Sequence, residues 1–180
     1  MPETVRSLAV DMKYVGAGTP GDGVPAATYT QYPTIHEGSV VFNFADGTQV
    51  SFKAMGQKEP WALINRVTDI SSVEFAIPSP TAQEQKDYMG GTVTGDKWEA
   101  PIDAPNITKS IKMQTADYEG KYTEYVIPKA SIFARLSQAP GEEATDLMLV
   151  RATIIAPVTA AGVRKTSFTR EVKPVIPPEG

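Results

Sequence analysis

ITKSIKMQTADYEGKYTEYVIPKASIFARLSQAPGEEATDLMLVRATII, residues 107–155, is the stretch that sets the fold class. Its apolar residues recur with the period of two that a pleated strand imposes; an amphipathic helix would show a period near 3.6. Strands are expected around Ile107 to Thr115, Lys121 to Ile127, Ala130 to Leu136 and Leu147 to Ile155. Gly120 and Pro140-Gly141 supply turns between them, as residues that tolerate or enforce reversal of the chain.

Moving toward the N-terminus, Val73, Phe75 and Ile77 alternate in a strand from Ser72 to Ile77, and Pro78 and Pro80 stop it. Thr81 with Glu84 three residues later has the form of a capping box. AQEQKDYM holds good helix formers and Gly90-Gly91 closes the segment, so one short helix is expected at about 81–89. Val40, Phe42 and Phe44 alternate, Asp46-Gly47 tolerates positive φ, and Val50, Phe52 and Ala54 alternate again, which predicts a β-hairpin turning at Asp46-Gly47. A first strand places Leu8, Val10, Met12 and Tyr14 on one face.

Between the first strand and that hairpin, GAGTPGDGVPAATYTQYP is rich in glycine and contains Pro20, Pro25 and Pro33, so a long loop over 16–34 is expected. Loops of that length are usually functional or partly disordered. Past Pro157 the alternation weakens, and VKPVIPPEG carries prolines without a strand pattern, so the end reads as a mobile or partner-bound arm. The residues alone therefore give a β-rich fold with one helix.

A chain of 180 residues suits one domain with appendages, and 41% hydrophobic with 21% charged residues is a globular balance. Absence of cysteine excludes disulfides, thiolate metal sites and cysteine nucleophiles. A net charge of −4 argues against tight nucleic-acid binding, which needs clustered Lys and Arg. No apolar run approaches the roughly 18 residues of a spanning helix, and MPETVRSLAV lacks the basic and apolar regions of a secretion signal.

Chemical motifs are sparse. His36 is the only histidine and reads as a surface or turn residue, which removes multi-histidine metal sites and spare-histidine triads. Glu142 and Glu143 lie in a solvated turn, GAGTPG lacks the ending of a phosphate loop, and Asp96 and Asp103 lack EF-hand spacing. Lys109 and Lys112 fall on opposite faces of their strand, and Arg164, Lys165 and Arg170 are too few for a nucleic-acid site. Trp61 and Trp98 read as anchors of the core or of an intersubunit contact, with sugar stacking as the other use of an exposed indole. No catalytic residue, cofactor or metal ligand is assigned, and the chain is not expected to be an enzyme.

VEFAIPSPTAQEQKDYMGGTV, DKWEAP, YVIPKASIFARL and LMLVRATIIAP, in that order over about residues 70–157, are similar to the tail tube (major tail) proteins of tailed bacteriophages. Phe75, Gly90, Gly91, Trp98, Ile127 and Pro128 match the family's strand, helix stop, tryptophan-bearing connection and Ile-Pro step. The resemblance implies an antiparallel β-sandwich or squashed barrel with one flanking helix. It further implies hexameric rings stacked into a tube, with DNA passing through the lumen without specific binding. Tape-measure and tail terminator proteins would be partners, and the location would be the virion after synthesis in the host cytoplasm.

On that reading residues 1–157 form the tail-tube-like domain and 158–180 a C-terminal arm. Tyr29, Tyr32 and Phe168, from the long loop and the arm, would anchor ring-to-ring contacts, and Trp61 is a further candidate for an assembly contact. The alternatives are a carbohydrate-binding or adhesin-like β-sandwich using Trp61 or Trp98, another virion part such as a terminator or connector, and an enzyme built on a carboxylate pair.

Overall fold

The computed structural model describes residues 8–31, 35–66 and 70–175. In chain order its elements are β1 (Met12–Gly18), β2 (Thr30–Gln31), β3 (Val41–Asn43), β4 (Thr48–Phe52), β5 (Ala62–Arg66) and β6 (Ser72–Pro78). These are followed by α1 (Ala82–Met89), β7 (Thr92–Thr94), β8 (Lys97–Glu99), β9 (Ile107–Thr115), β10 (Lys121–Gln138), β11 (Leu147–Ile154) and β12 (Thr169–Pro174). The main sheet runs β2-β1-β9-β10-β11-β6-β3, with β12 also paired to β10, and every pairing is antiparallel. The sheet curls into a half-barrel, as a mostly β sandwich or squashed barrel with one helix requires.

The stretch 107–155 folds as expected, with one simplification. The strands anticipated at Lys121 to Ile127 and Ala130 to Leu136 are a single strand, β10, bent at a bulge between Ile127 and Ala130. Pro128 lies in that bulge, where a residue without an N–H can be tolerated in a ladder. The bend divides one edge of β10 between two neighbours: β11 pairs with residues 130–138, and β12 pairs with 121–126. Both run antiparallel to β10, so β12 continues the line of β11 after an excursion of the chain. The β9–β10 turn is closed by two bonds between Tyr118 and Lys121, with Glu119 and Gly120 at φ 53° and 72°, as a tight hairpin turn demands.

α1 is capped as the sequence indicates: the Thr81 hydroxyl accepts from Glu84 N–H and the Glu84 carboxylate accepts from Thr81 N–H at 2.7 Å. Gly90, at φ 76°, ends it. Tyr88 drives its ring into the core edge-on to Phe75, at 6.3 Å between centroids. Around this pair sit Val15, Val73, Ile77, Ile111, Met113, Ile127, Met148 and Val150, all essentially without solvent contact.

Four expectations change. β3 and β4 do not form a hairpin with each other: β3 pairs with β6, and β4 pairs with β5, a strand the sequence reading did not include. Gly47 is not among the residues with positive φ, so the chain does not reverse at Asp46-Gly47; it reverses near Gly56, at φ 83°. β1 begins at Met12, and a bulge between Met12 and Tyr14 shifts its phase so that Val15 and Ala17 face the core while Leu8 and Val10 stay exposed.

The long loop is shorter than expected, because Gly16, Ala17 and Gly18 belong to β1 and Thr30 and Gln31 pair back onto it. Glycine is required there by close approach: a Cβ on Gly18 would lie 2.2 Å from the Thr28 carbonyl oxygen. Finally, residues 169–174 form a paired strand although their sequence lacks strand alternation.

Candidate assembly surfaces

At the end of the molecule where β12 docks, the sheet is locally β1-β9-β10-β12. Among the described residues no strand pairs with the outer edge of β12, and β2 pairs with β1 only at Gly16 and Ala17. Among the described residues, Met12 to Val15 and Thr169 to Pro174 are therefore without a strand partner on their outer sides, and they flank one four-stranded segment. Successive antiparallel pairings make β1 and β12 run in opposite directions. At the far end of the sheet β3 is the last strand, and β6 is bonded beyond it: His36 N–H donates to the Ala76 carbonyl at 2.9 Å and Ala76 N–H donates to Ser39 Oγ at 3.1 Å.

One face of this segment is the core, with Val15, Ile111, Met113 and Ile127. On the opposite face Tyr14, Gln114, Glu124 and Glu171 stand in register across the four strands, and Lys112 and Lys173 stand in the adjoining rows. Glu124 accepts from Gln114 Nε2 at 2.7 Å and from Lys173 Nζ at 2.5 Å. Burial pushes its carboxyl up, but the bonds from Lys173 and Gln114 and the charges of Lys173 and Lys112 outweigh burial and hold it below the usual value. The bond to Glu124 holds Lys173 above its usual value against a smaller opposing effect of burial. Lys112 Nζ lies 4.6 Å from the Tyr29 ring centroid and 5.5 Å from that of Tyr14.

The hairpin of β4 and β5 is different in kind. Its strands make their substantial contacts with each other only. Val50 opposite Ile64 and Phe52 opposite Ala62 give it an apolar face, while Gln49 and Asn65 bond to each other across the other face at 3.0 Å. That apolar face is open to solvent, with Phe52 39% and Ile64 44% exposed, and Trp61 beside it is 71% exposed. The Phe52 and Trp61 rings lie 6.2 Å apart.

Of the residues expected to make assembly contacts, Trp61 is at this exposed surface. Tyr29 and Phe168 engage their own chain. The Tyr29 hydroxyl hydrogen-bonds Ser110 Oγ at 3.0 Å, and Phe168 packs edge-on to Phe44 at 4.9 Å beside Phe42 and Tyr125. Tyr32 lies outside the described residues. Trp98 is half-buried and donates from Nε1 to the Gly90 carbonyl at 2.8 Å, fixing the β7–β8 hairpin to the end of α1.

No protein-family model matches this chain, and no curated protein matches its sequence.

Among the described residues, no three His, Cys, Asp or Glu side chains gather where a metal could bind. The sequence reading did not name the strands that carry the two open edges. They are properties of backbone pairing, and no residue type marks them.

Proposed function

We propose that the chain is a self-assembling structural subunit of a phage tail tube, joining copies edge to edge into rings that stack as a conduit for DNA. The observation that carries this reading is the pair of open edges, β1 and β12, at opposite sides of a four-stranded antiparallel segment. Because the two edges run in opposite directions, β12 of one copy and β1 of an identically oriented copy meet antiparallel and extend the ladder. Such a head-to-tail contact closes into a ring when its rotation allows. Closure removes both edges, which otherwise leave backbone donors and acceptors without a strand partner.

The hairpin supplies the second contact. A two-stranded hairpin with an uncovered apolar face is marginal in water. Val50, Phe52 and Ile64 are only partly exposed, so covering them with another copy would stabilise by a fraction of what full burial of each side chain is worth, about 1.5–3 kcal/mol. The rings are proposed to be hexameric, with tape-measure and tail terminator proteins as partners, on the strength of the resemblance over residues 70–157.

A second reading has its own support: Trp61, with Phe52 beside it, presents an indole that could stack on a sugar ring. Negative-stain microscopy and sedimentation across a concentration series separate the two. Rings or tubes that disappear in the Phe52→Ser, Trp61→Ser double variant are expected. A monomer at every concentration that binds saccharide saturably would overturn the tube reading.

A further inference from the structure

Two large apolar side chains stand out from the body, each next to a charge. Phe133, within β10, is 64% exposed, and Ile102, in the connection from β8 to β9, is fully exposed. Phe133, Arg135, Leu149 and Arg151 line a shallow depression of about 60 Å³ on β10 and β11. Phe133 stands opposite Arg151 and Arg135 opposite Leu149, so apolar and cationic groups alternate across it. Arg151 is engaged, its Nε donating to Glu74 at 2.6 Å. Arg135 has no carboxylate within salt-bridge distance among the described residues.

The connection is built to hold Ile102 outward. Pro101 and Pro105 both lie against Gly90 at the end of α1, where an added Cβ would come 2.7 Å from Pro105 Cγ and 3.7 Å from Pro101 Cγ. Trp98, just before them, donates to the Gly90 carbonyl. A segment pinned at both ends presents Ile102 and Asp103 with little freedom left to lose on binding. Glu99 is taken by Lys97 at 2.6 Å, whereas Asp103 has no cation within salt-bridge distance among the described residues.

We infer that Ile102 of one copy seats in the Phe133–Leu149 depression of a second copy, with Asp103 facing Arg135. The contact rests on the reading of the chain as self-assembling, but not on the joint between β1 and β12. Charge complementarity points to a second copy as the occupant: the depression offers a guanidinium beside an aromatic ring, and the connection offers a carboxylate beside an aliphatic knob. Phe133 alternates with the core residue Ile132 and so points away from the core, while α1, to which the connection is fixed, sends Tyr88 into it. Knob and depression thus belong to different faces, and the contact is head-to-tail, repeating from copy to copy.

Sedimentation of the full chain across a concentration series tests this. Asp103→Arg and Arg135→Asp, both at exposed positions, should each raise the concentration for half-assembly about tenfold or more, because each sets like charges together. The double variant exchanges the two charges and should assemble near the parent's concentration, a recovery that damage to folding would not allow. Ile102→Ser should weaken assembly while leaving denaturant unfolding unchanged. A parent that assembles while both reversals leave half-assembly unmoved, or a double variant that does not recover, overturns this contact and leaves the edge joint standing. A parent that stays monomeric throughout overturns the self-assembly reading, and this contact with it.

Discussion

Phe75 on β6 and Phe52 on β4 are phenylalanines in short antiparallel strands, yet one is completely buried and the other is 39% exposed. β6 lies in the main sheet, paired with β11 along its length, and Tyr88 from the helix covers Phe75. Among the described residues β4 pairs with β5 alone, and its apolar face stays partly open to solvent beside Trp61. The difference separates what stabilises the single chain from what awaits a second one. The core of the body is covered within the chain, although Phe133 on β10 is 64% exposed, while the hairpin keeps its apolar face and the two open edges keep their backbone groups available.

Breaking the body should have the largest effect. Phe75→Ala removes a ring from the centre of the core and is expected to cost about 3–5 kcal/mol, read by denaturant unfolding. Next comes the seam that holds β12. Glu124 has its carboxyl held below the ordinary range, so its contribution is complete at neutral pH and is lost as pH falls through that lowered value. Lys173 is held above its ordinary value, so its contribution persists at neutral pH and is lost only as pH rises through that raised value. The thermal midpoint should therefore drop in acid, and Glu124→Gln should flatten the drop; equal acid sensitivity in parent and variant would contradict the pairing.

Smaller effects sharpen the contrast. Thr81→Ala deletes the helix cap and should destabilise by about 1 kcal/mol. The Thr123 hydroxyl is buried without a hydrogen-bond partner among the described residues, so Thr123→Val should stabilise by about 1 kcal/mol. Substituting Phe52 and Trp61 with serine should change monomer stability least, by under about 0.5 kcal/mol each, as at other exposed positions. The same two changes should abolish association. Comparable losses of stability from Phe52→Ser and Phe75→Ala would erase the distinction between hairpin and body.

The parts of the fold legible in the sequence are those whose information is local. Alternation over 107–155 and the Thr81–Glu84 box with its glycine stop each report on neighbouring residues, and both are present where expected. Pairing partners are not local. Period two marks Val41–Asn43 and Thr48–Phe52 as strands but cannot say that β6 and β5, rather than each other, receive them. Gly16 and Gly18 resemble loop residues until Tyr14 and Thr28 are seen where their side chains would be. β12 is an exposed edge strand tied by backbone bonds and the Lys173–Glu124 pair, so it has no apolar alternation to read. Trp61 was identifiable as a contact candidate because a large aromatic outside a strand pattern needs cover; the open edges left no trace in composition.

The joining of β1 to β12 between copies can be measured directly, because the chain contains no cysteine and introduced thiols are the only ones present. A Lys13→Cys, Glu171→Cys double variant, treated with a short bismaleimide after assembly, should yield a ladder of covalent multimers ending at one fixed copy number. Each single variant should yield dimers at most. A double variant that stays monomeric on a denaturing gel, or that stops at dimers, would contradict edge-to-edge ring assembly.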